Sequence, residues 1–186
     1  MIDDKVLYKS FLEGDINAFE ALVIKHKDNL IYFISRYTGG DIYLAEDIAQ
    51  DVFAHIFVYK ESYNDKYSFK TFIYTLGRNK AVDSIRKLSR TKLIDIDESR
   101  EDPLYEVQTL EDKIIEDEEK RQIIDGMKTL NPDYQRAIYL VAFEELSYKE
   151  IAKIMGKTLP QTRVLIHRAR KTLKSIIEEG VGRNEE

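Results

Sequence analysis

Arg163, His167, Arg170, Lys171 and Lys174 recur at intervals of three and four residues, a spacing that lines guanidinium, imidazole and ammonium groups along one side of a helix. Such groups hold phosphate oxygens and read base edges. Between Lys149 and Lys174 there are eight Lys or Arg against one acid, which suits release of counterions from a phosphate backbone. The opposite side carries Thr162, Leu165, Ile166, Ala169, Leu173 and Ile176, an apolar face able to pack. A solvated surface helix would show the same residues, so both readings stand at this point.

The elements that must position this stripe are written in the local chemistry. Ser147 and Glu150 have the spacing of a capping box, so a helix is expected to begin at Tyr148 and to bury Ile151, Ala152, Ile154 and Met155. Gly156 is the expected stop. Thr158 and Gln161 repeat the capping-box spacing, and Pro160 falls in a first helical turn, where a missing N–H is harmless. Two short helices joined by a tight turn, the second basic, make the pattern of a helix-turn-helix.

Two further segments carry candidate groups. In AEDIAQDVFAHIF, Glu46, Asp47, Gln50 and Asp51 share one helical face, with Ala45, Ile48, Ala49, Val52, Phe53 and Ile56 on the other. The acidic stripe is either an ordinary solvated face or a dock for a basic protein. From Tyr59 to Arg90, Tyr59, Tyr63, Tyr67, Phe69, Phe72 and Tyr74 interleave with Lys60, Lys66 and Lys70, a composition that suits unstacked bases. Phe69, Phe72, Ile73 and Leu76 have core spacing, which leaves Tyr63 and Tyr67, with Lys66 between them, as the rings expected to be free to stack. Asn79, Asp83, Arg86 and Arg90 form one stripe able to read base edges and hold phosphate.

The chain has 186 residues, 43% of them hydrophobic, with three Pro, eight Gly and no Cys. Disulfides and thiolate metal sites are excluded, and His26, His55 and His167 lack ligand-like spacing, so no metal or cofactor is expected. No nucleophile-base set or paired carboxylates suggest an enzyme. The N-terminal MIDDKVLYKS does not resemble a signal peptide and no apolar run is long enough to span a membrane, so an intracellular, cytoplasmic protein is expected.

The net charge of −5 is unevenly spread. Asp95 to Glu119 holds twelve acids and two bases, a net of about −10, leaving about +5 elsewhere. Periodic apolar patterns predict helices near 3–13, 16–37, 42–60 and 68–89, then near 110–129, 132–145, 147–155 and 159–178, with no strand. The expected fold is all-α: a helical domain at 1–92, an acidic flexible linker at 93–112 and a helix-turn-helix domain at 113–186.

With these residues in view, the chain resembles the small, extracytoplasmic-function group of bacterial RNA polymerase sigma factors. GDINAFEALVIKHKDNLIYFISRY resembles the opening of the family's promoter-melting domain, and AEDIAQDVFAHIF its polymerase-binding helix. SFKTFIYTLGRNKAVDSIRK is similar to the segment that handles the minus-ten element, with Phe72 where the family usually has Trp. LNPDYQRAIYLVAFEELSYKEIAKIMGKTLPQTRVLIHRARKTL resembles the second DNA-binding domain, with Pro160-Gln161-Thr162 where Gly-Thr-Val is usual.

The resemblance implies a transcription-initiation factor that is not an enzyme, with core RNA polymerase and promoter DNA as partners. Glu46, Asp47, Gln50 and Asp51 would meet the polymerase. Tyr63, Lys66, Tyr67, Asn79, Asp83, Arg86 and Arg90 would hold single-stranded minus-ten bases. Gln161, Arg163, His167, Arg170, Lys171 and Lys174 would engage the minus-thirty-five duplex, Gln161 with an amide able to pair with adenine. The linker would thread toward the polymerase's RNA exit path. The group is usually restrained by an anti-sigma factor, often membrane-anchored, and the free protein is expected to be monomeric. The rival readings are a stand-alone helix-turn-helix regulator, and an adaptor that ignores DNA.

Overall fold

The computed structural model describes residues 2–91, 111 and 118–181. The expected linker and the start of the helix expected from residue 110 therefore lie outside the described residues, Glu111 excepted. The chain divides into two compact units, Met1–Leu110 and Glu111–Glu186, and every regular element among the described residues is helical.

The first unit holds α1 (Asp4–Leu12), α2 (Ile16–Ser35), α3 (Ile42–Val58), a short 3-10 turn (Lys60–Ser62) and α4 (Phe69–Thr91). Three of its helices start on an aspartate. Asp3 accepts from the Lys5 N–H, Asp15 from Asn17 and Ala18, and Asp41 from Leu44. Each such cap contributes about 1 kcal/mol by pairing an orphaned backbone donor. Helix α2 is the centre of the unit, packed against α1, α3 and α4. Its Leu22, Leu30 and Ile34 are fully buried with Phe11, Ile56 and Ile73, and each such side chain stabilises by roughly 1.5–3 kcal/mol. Helix α3 ends at Val58, two residues short of expectation, because the chain tightens into the 3-10 turn.

The second unit holds α5 (Glu118–Met127), α6 (Pro132–Ala142), α7 (Tyr148–Met155) and α8 (Leu159–Val181). Helix α8 is packed against the other three. Helix α5 approaches α8 so closely that a Cβ on Gly126 would stand 2.7 Å from Leu173 Cδ1. Asn131 caps α6 through the Tyr134 N–H at 3.0 Å, with Pro132 following it. Helix α6 stops at Ala142, three residues before the expected end. Glu145 takes a left-handed φ of 55° and the Leu146 N–H turns back to the Leu140 carbonyl at 3.1 Å. The helix thus closes through a left-handed residue that is Glu where Gly is usual, with Leu146 buried beyond it.

Candidate nucleic-acid interface

The helix-turn-helix forms as its caps predict. Ser147 and Glu150 bond reciprocally, the Glu150 carboxylate accepting the Ser147 N–H at 3.0 Å. Ile151, Ala152, Ile154 and Met155 are buried, and Gly156 ends α7 at φ 63°, ψ 35°, a left-handed conformation that costs glycine little. At the next cap the Thr158 N–H donates to Gln161 Oε1 at 2.9 Å, and the Gln161 N–H to Thr158 Oγ1 at 3.4 Å.

That second cap limits what the Gln161 side chain can bind. Its amide oxygen is engaged by the backbone, so the amide NH2 is the group left free of the cap. A bidentate adenine contact, which needs the oxygen as well as the NH2, would compete with the cap.

On α8, Thr162, Ile166, Ala169 and Leu173 are buried, whereas Leu165 and Ile176 are half-buried. Arg163, His167, Arg170, Lys171 and Lys174 are all exposed along the other side. The Arg170 Nη1 donates to the Tyr148 hydroxyl at 3.1 Å, and Lys174 lies 3.6 Å from Glu178, an exposed pair of little energetic weight. Other residues of this helix share this exposure. Arg168 is exposed, and Val164 is an apolar side chain 49% exposed among cations. Both were readable in the sequence, Arg168 from its charge and Val164 from its place on the polar face.

The turn before α8 is fixed electrostatically. Asp133, in the first turn of α6, receives Arg136 Nη2 at 2.6 Å and Lys157 Nζ at 3.1 Å. Burial alone would push the Asp133 carboxyl up, but the hydrogen bonds and charges of Arg136 and Lys157 outweigh it and hold it below the ordinary carboxylate value.

In the first unit, Ala45, Ile48, Ala49, Val52, Phe53 and Ile56 of α3 are all buried, as their spacing predicts. The opposite face presents Asp47, Gln50 and Asp51 to solvent, with Glu46 half-buried. Asp51 is 3.8 Å from Lys80 of α4, and with its side chain 74% exposed it remains open to a larger partner.

The structure corrects one expectation in the segment after α3. Tyr63 is not free to stack: its ring is half-buried, edge-on to Tyr8 at 4.7 Å, 5.6 Å from Phe69 and 5.3 Å from Phe72. Its hydroxyl donates to the Tyr67 carbonyl at 3.0 Å, and burial raises its pKa, the nearby Asp65 charge adding to the shift. The cause is a contact with Tyr8, too far away in sequence for spacing to reveal. Tyr67, the other ring expected to be free, is half-buried as well, whereas Lys66 is exposed and Tyr59 is 60% exposed beside His55, at the edge of an open hollow of about 620 Å³.

Along α4, Asn79, Asp83, Arg86 and Arg90 are exposed on one stripe. Arg78 donates to Asn79 at 3.1 Å and Arg86 sits 3.7 Å from Asp83. From Asn79 to Arg90 the stripe runs about 16 Å at 1.5 Å per residue, so it can follow a strand and does not form a closed pocket. Among the described residues no cluster of His, Cys, Asp and Glu could hold a metal, and no helix is long and apolar enough to cross a membrane.

Known proteins show the same two-part plan. Residues 22–91 match the family Sigma-70 region 2, and residues 120–173 match Sigma-70, region 4. The chain is 28% identical over 178 residues to the ECF RNA polymerase sigma factor SigW of Bacillus subtilis (strain 168), covering 92% of this chain and 95% of that one. It is 26% identical over 185 residues to the ECF RNA polymerase sigma-E factor of Escherichia coli (strain K12), covering 95% of each. In fold it is similar to CnrH, solved in complex with the cytosolic domain of CnrY, with a TM-score of 0.62 at 20% identity over 95% of this chain and 97% of that one. The sigma factor RpoE of Bartonella quintana, solved with the anti-sigma factor NepR, gives a TM-score of 0.62 at 19% identity, covering 86% and 96%.

Proposed function

From the premise that this chain belongs to the extracytoplasmic-function (ECF) RNA polymerase sigma factors, we propose a division of labour among its residues in promoter recognition. A sigma factor is a non-enzymatic subunit that gives core RNA polymerase its promoter specificity, so the residues need only bind and position. In this reading residues 1–92 bind polymerase and the minus-ten element, 93–112 link, and 113–186 bind the minus-thirty-five element.

The observation that carries the proposal is the separation of charge between the two exposed faces. Asp47, Gln50 and Asp51, with Glu46 beside them, offer α3 to a basic surface of core polymerase. Arg163, His167, Arg170, Lys171 and Lys174 offer α8 to the duplex at minus thirty-five, joined by Arg168, Val164 and the Gln161 NH2. Lys66, Tyr67, Asn79, Asp83, Arg86 and Arg90 follow the unpaired minus-ten strand. Tyr59 takes over the stacking role expected of Tyr63, whose ring holds the segment from behind. Opening of the promoter is then driven by binding free energy of captured bases, at roughly 1–3 kcal/mol per stacked base.

Two relatives in fold were solved in complex with a partner, CnrY for one and NepR, named an anti-sigma factor, for the other. This chain is accordingly proposed to be restrained in the cytoplasm by an anti-sigma factor that covers one of these faces, and to be monomeric when free of partners. The sigma-70 region 2 match over 22–91 leaves no observation that favours a stand-alone regulator. The test is the affinity of purified core polymerase for wild-type protein and for Asp47→Lys and Asp51→Lys. Losses of tenfold or more with unchanged thermal unfolding support the acidic dock, and equal affinities reject it.

A further inference from the structure

One face of α1 carries Lys5, Tyr8 and Phe11 at three-residue spacing, and each reaches the segment between α3 and α4. The buried Tyr8 hydroxyl donates to the Lys60 carbonyl at 2.7 Å, across 52 residues of sequence. The Tyr8 ring meets Tyr63 edge-on at 4.7 Å and Phe69 at 5.4 Å. Lys60 returns its ammonium to the Phe11 ring at 4.6 Å, and Lys5 pairs with Asp65 at 2.9 Å. The segment is thus gripped at its start, its middle and the residue that opens α4.

Helix α1 is itself fixed to α2. Asp4 receives Lys25 Nζ at 2.6 Å and lies 2.9 Å from Nε2 of the buried His26. This helix lies outside the residues that match region 2, which begin at 22. We propose that α1 is a brace for residues 59–68, with Tyr8 and Lys5 as positioning residues that hold the segment in the shape that receives unpaired minus-ten bases. The inference rests on the reading that this segment binds those bases.

The physical case is pre-organisation. Apart from the turn Lys60–Ser62 the segment has no regular structure, and ordering such backbone at the moment of binding lowers affinity. The buried rings of Phe11 and Tyr8, with Asp4 on Lys25 and His26, already pack α1 onto the core. The Tyr8 hydroxyl and the Lys5 ammonium add bonds that act on the segment alone. Burial, with the Glu61 and Tyr63 charges adding to it, pushes the Tyr8 phenol up to about 12, so it remains a donor throughout the neutral range.

The test uses the full chain with Tyr8→Phe, which removes one hydroxyl and keeps the ring. Amide hydrogen exchange at residues 60–66 of the free protein should accelerate about tenfold, with α2 and α3 unchanged. Bound to purified core polymerase, the variant should bind a single-stranded oligonucleotide spanning the non-template minus-ten strand three- to tenfold more weakly. The oligonucleotide is taken from a promoter at which the wild-type protein starts, and affinities for core and for the minus-thirty-five duplex should stay within twofold. Lys5→Ala, at an exposed pair, should move the same readouts less and decides the matter if Tyr8→Phe does not fold. Lys66→Ala tests the parent reading. If Lys66→Ala loses the oligonucleotide while the α1 variants exchange and bind like wild type, the brace is overturned and the segment's role stands. If no variant weakens the oligonucleotide, the segment's role is rejected and the brace with it.

Discussion

The Arg170 guanidinium donates to the Tyr148 hydroxyl at 3.1 Å, tying the middle of α8 to the first residue of α7 across the helix-turn-helix. An arginine held this way presents its remaining donors in a fixed direction, which suits a phosphate more than a base edge. Replacing Arg170 by Ala should weaken holoenzyme binding to all promoters by a similar factor. The slope of log affinity against log salt should fall by about one unit. A change confined to particular sequences, measured by salt titration on two promoters, would assign Arg170 to base reading instead.

Val164 invites the opposite expectation. An apolar side chain 49% exposed on a cationic helix face has a natural partner in the thymine methyl group of the major groove. Duplexes carrying uracil in place of single thymines should bind the wild type about three- to fourfold more weakly at one position, the equivalent of roughly 0.8 kcal/mol per buried methyl-sized group. The Val164→Ala protein should be indifferent to that change. Equal sensitivity of both proteins would remove Val164 from the reading surface.

Much of this arrangement is legible in the sequence because its signals are local. The pairs Ser147 with Glu150 and Thr158 with Gln161 mark two helix starts within one residue, and the apolar spacing of α3 places its acidic stripe on the outside. What is not legible depends on partners distant in sequence or on an unusual residue in a familiar role. The ring of Tyr63 is engaged by Tyr8, and no periodicity reports a contact between residues so far apart. The end of α6 is hidden because Glu145, not Gly, occupies the left-handed position of its closure. The doubled use of Gln161 is legible in the sequence, since its capping spacing and its proposed base contact require the same oxygen.

The Asp133 cluster makes stability pH-dependent in a definite direction. Its carboxyl is held below the ordinary value in the folded chain, so its stabilisation is complete above the unfolded value near 3.9 and is lost as pH falls through the folded one. Asp133→Asn should lower the melting temperature of the second unit at neutral pH by about 2–4 °C, on the order of 0.5 kcal/mol, kept small because the carboxylate is 44% exposed. Thermal unfolding of both proteins from pH 7 to pH 3 should show the gap closing below about pH 4. A gap that widens with acid would contradict the assignment.

In the proposed division of labour an acidic helix of the first unit recruits polymerase while a basic helix of the second selects the promoter. Its most direct test is transcription in vitro from a library of genomic fragments, with start sites mapped for core polymerase alone and with wild-type, Asp51→Lys and Arg163→Glu proteins. Discrete new starts are expected with the wild type and none with Asp51→Lys. With Arg163→Glu, starts should be lost at promoters that depend on a minus-thirty-five element, although the protein still binds core. The same starts with and without the wild-type protein, or an Asp51→Lys protein as active as wild type, would contradict it.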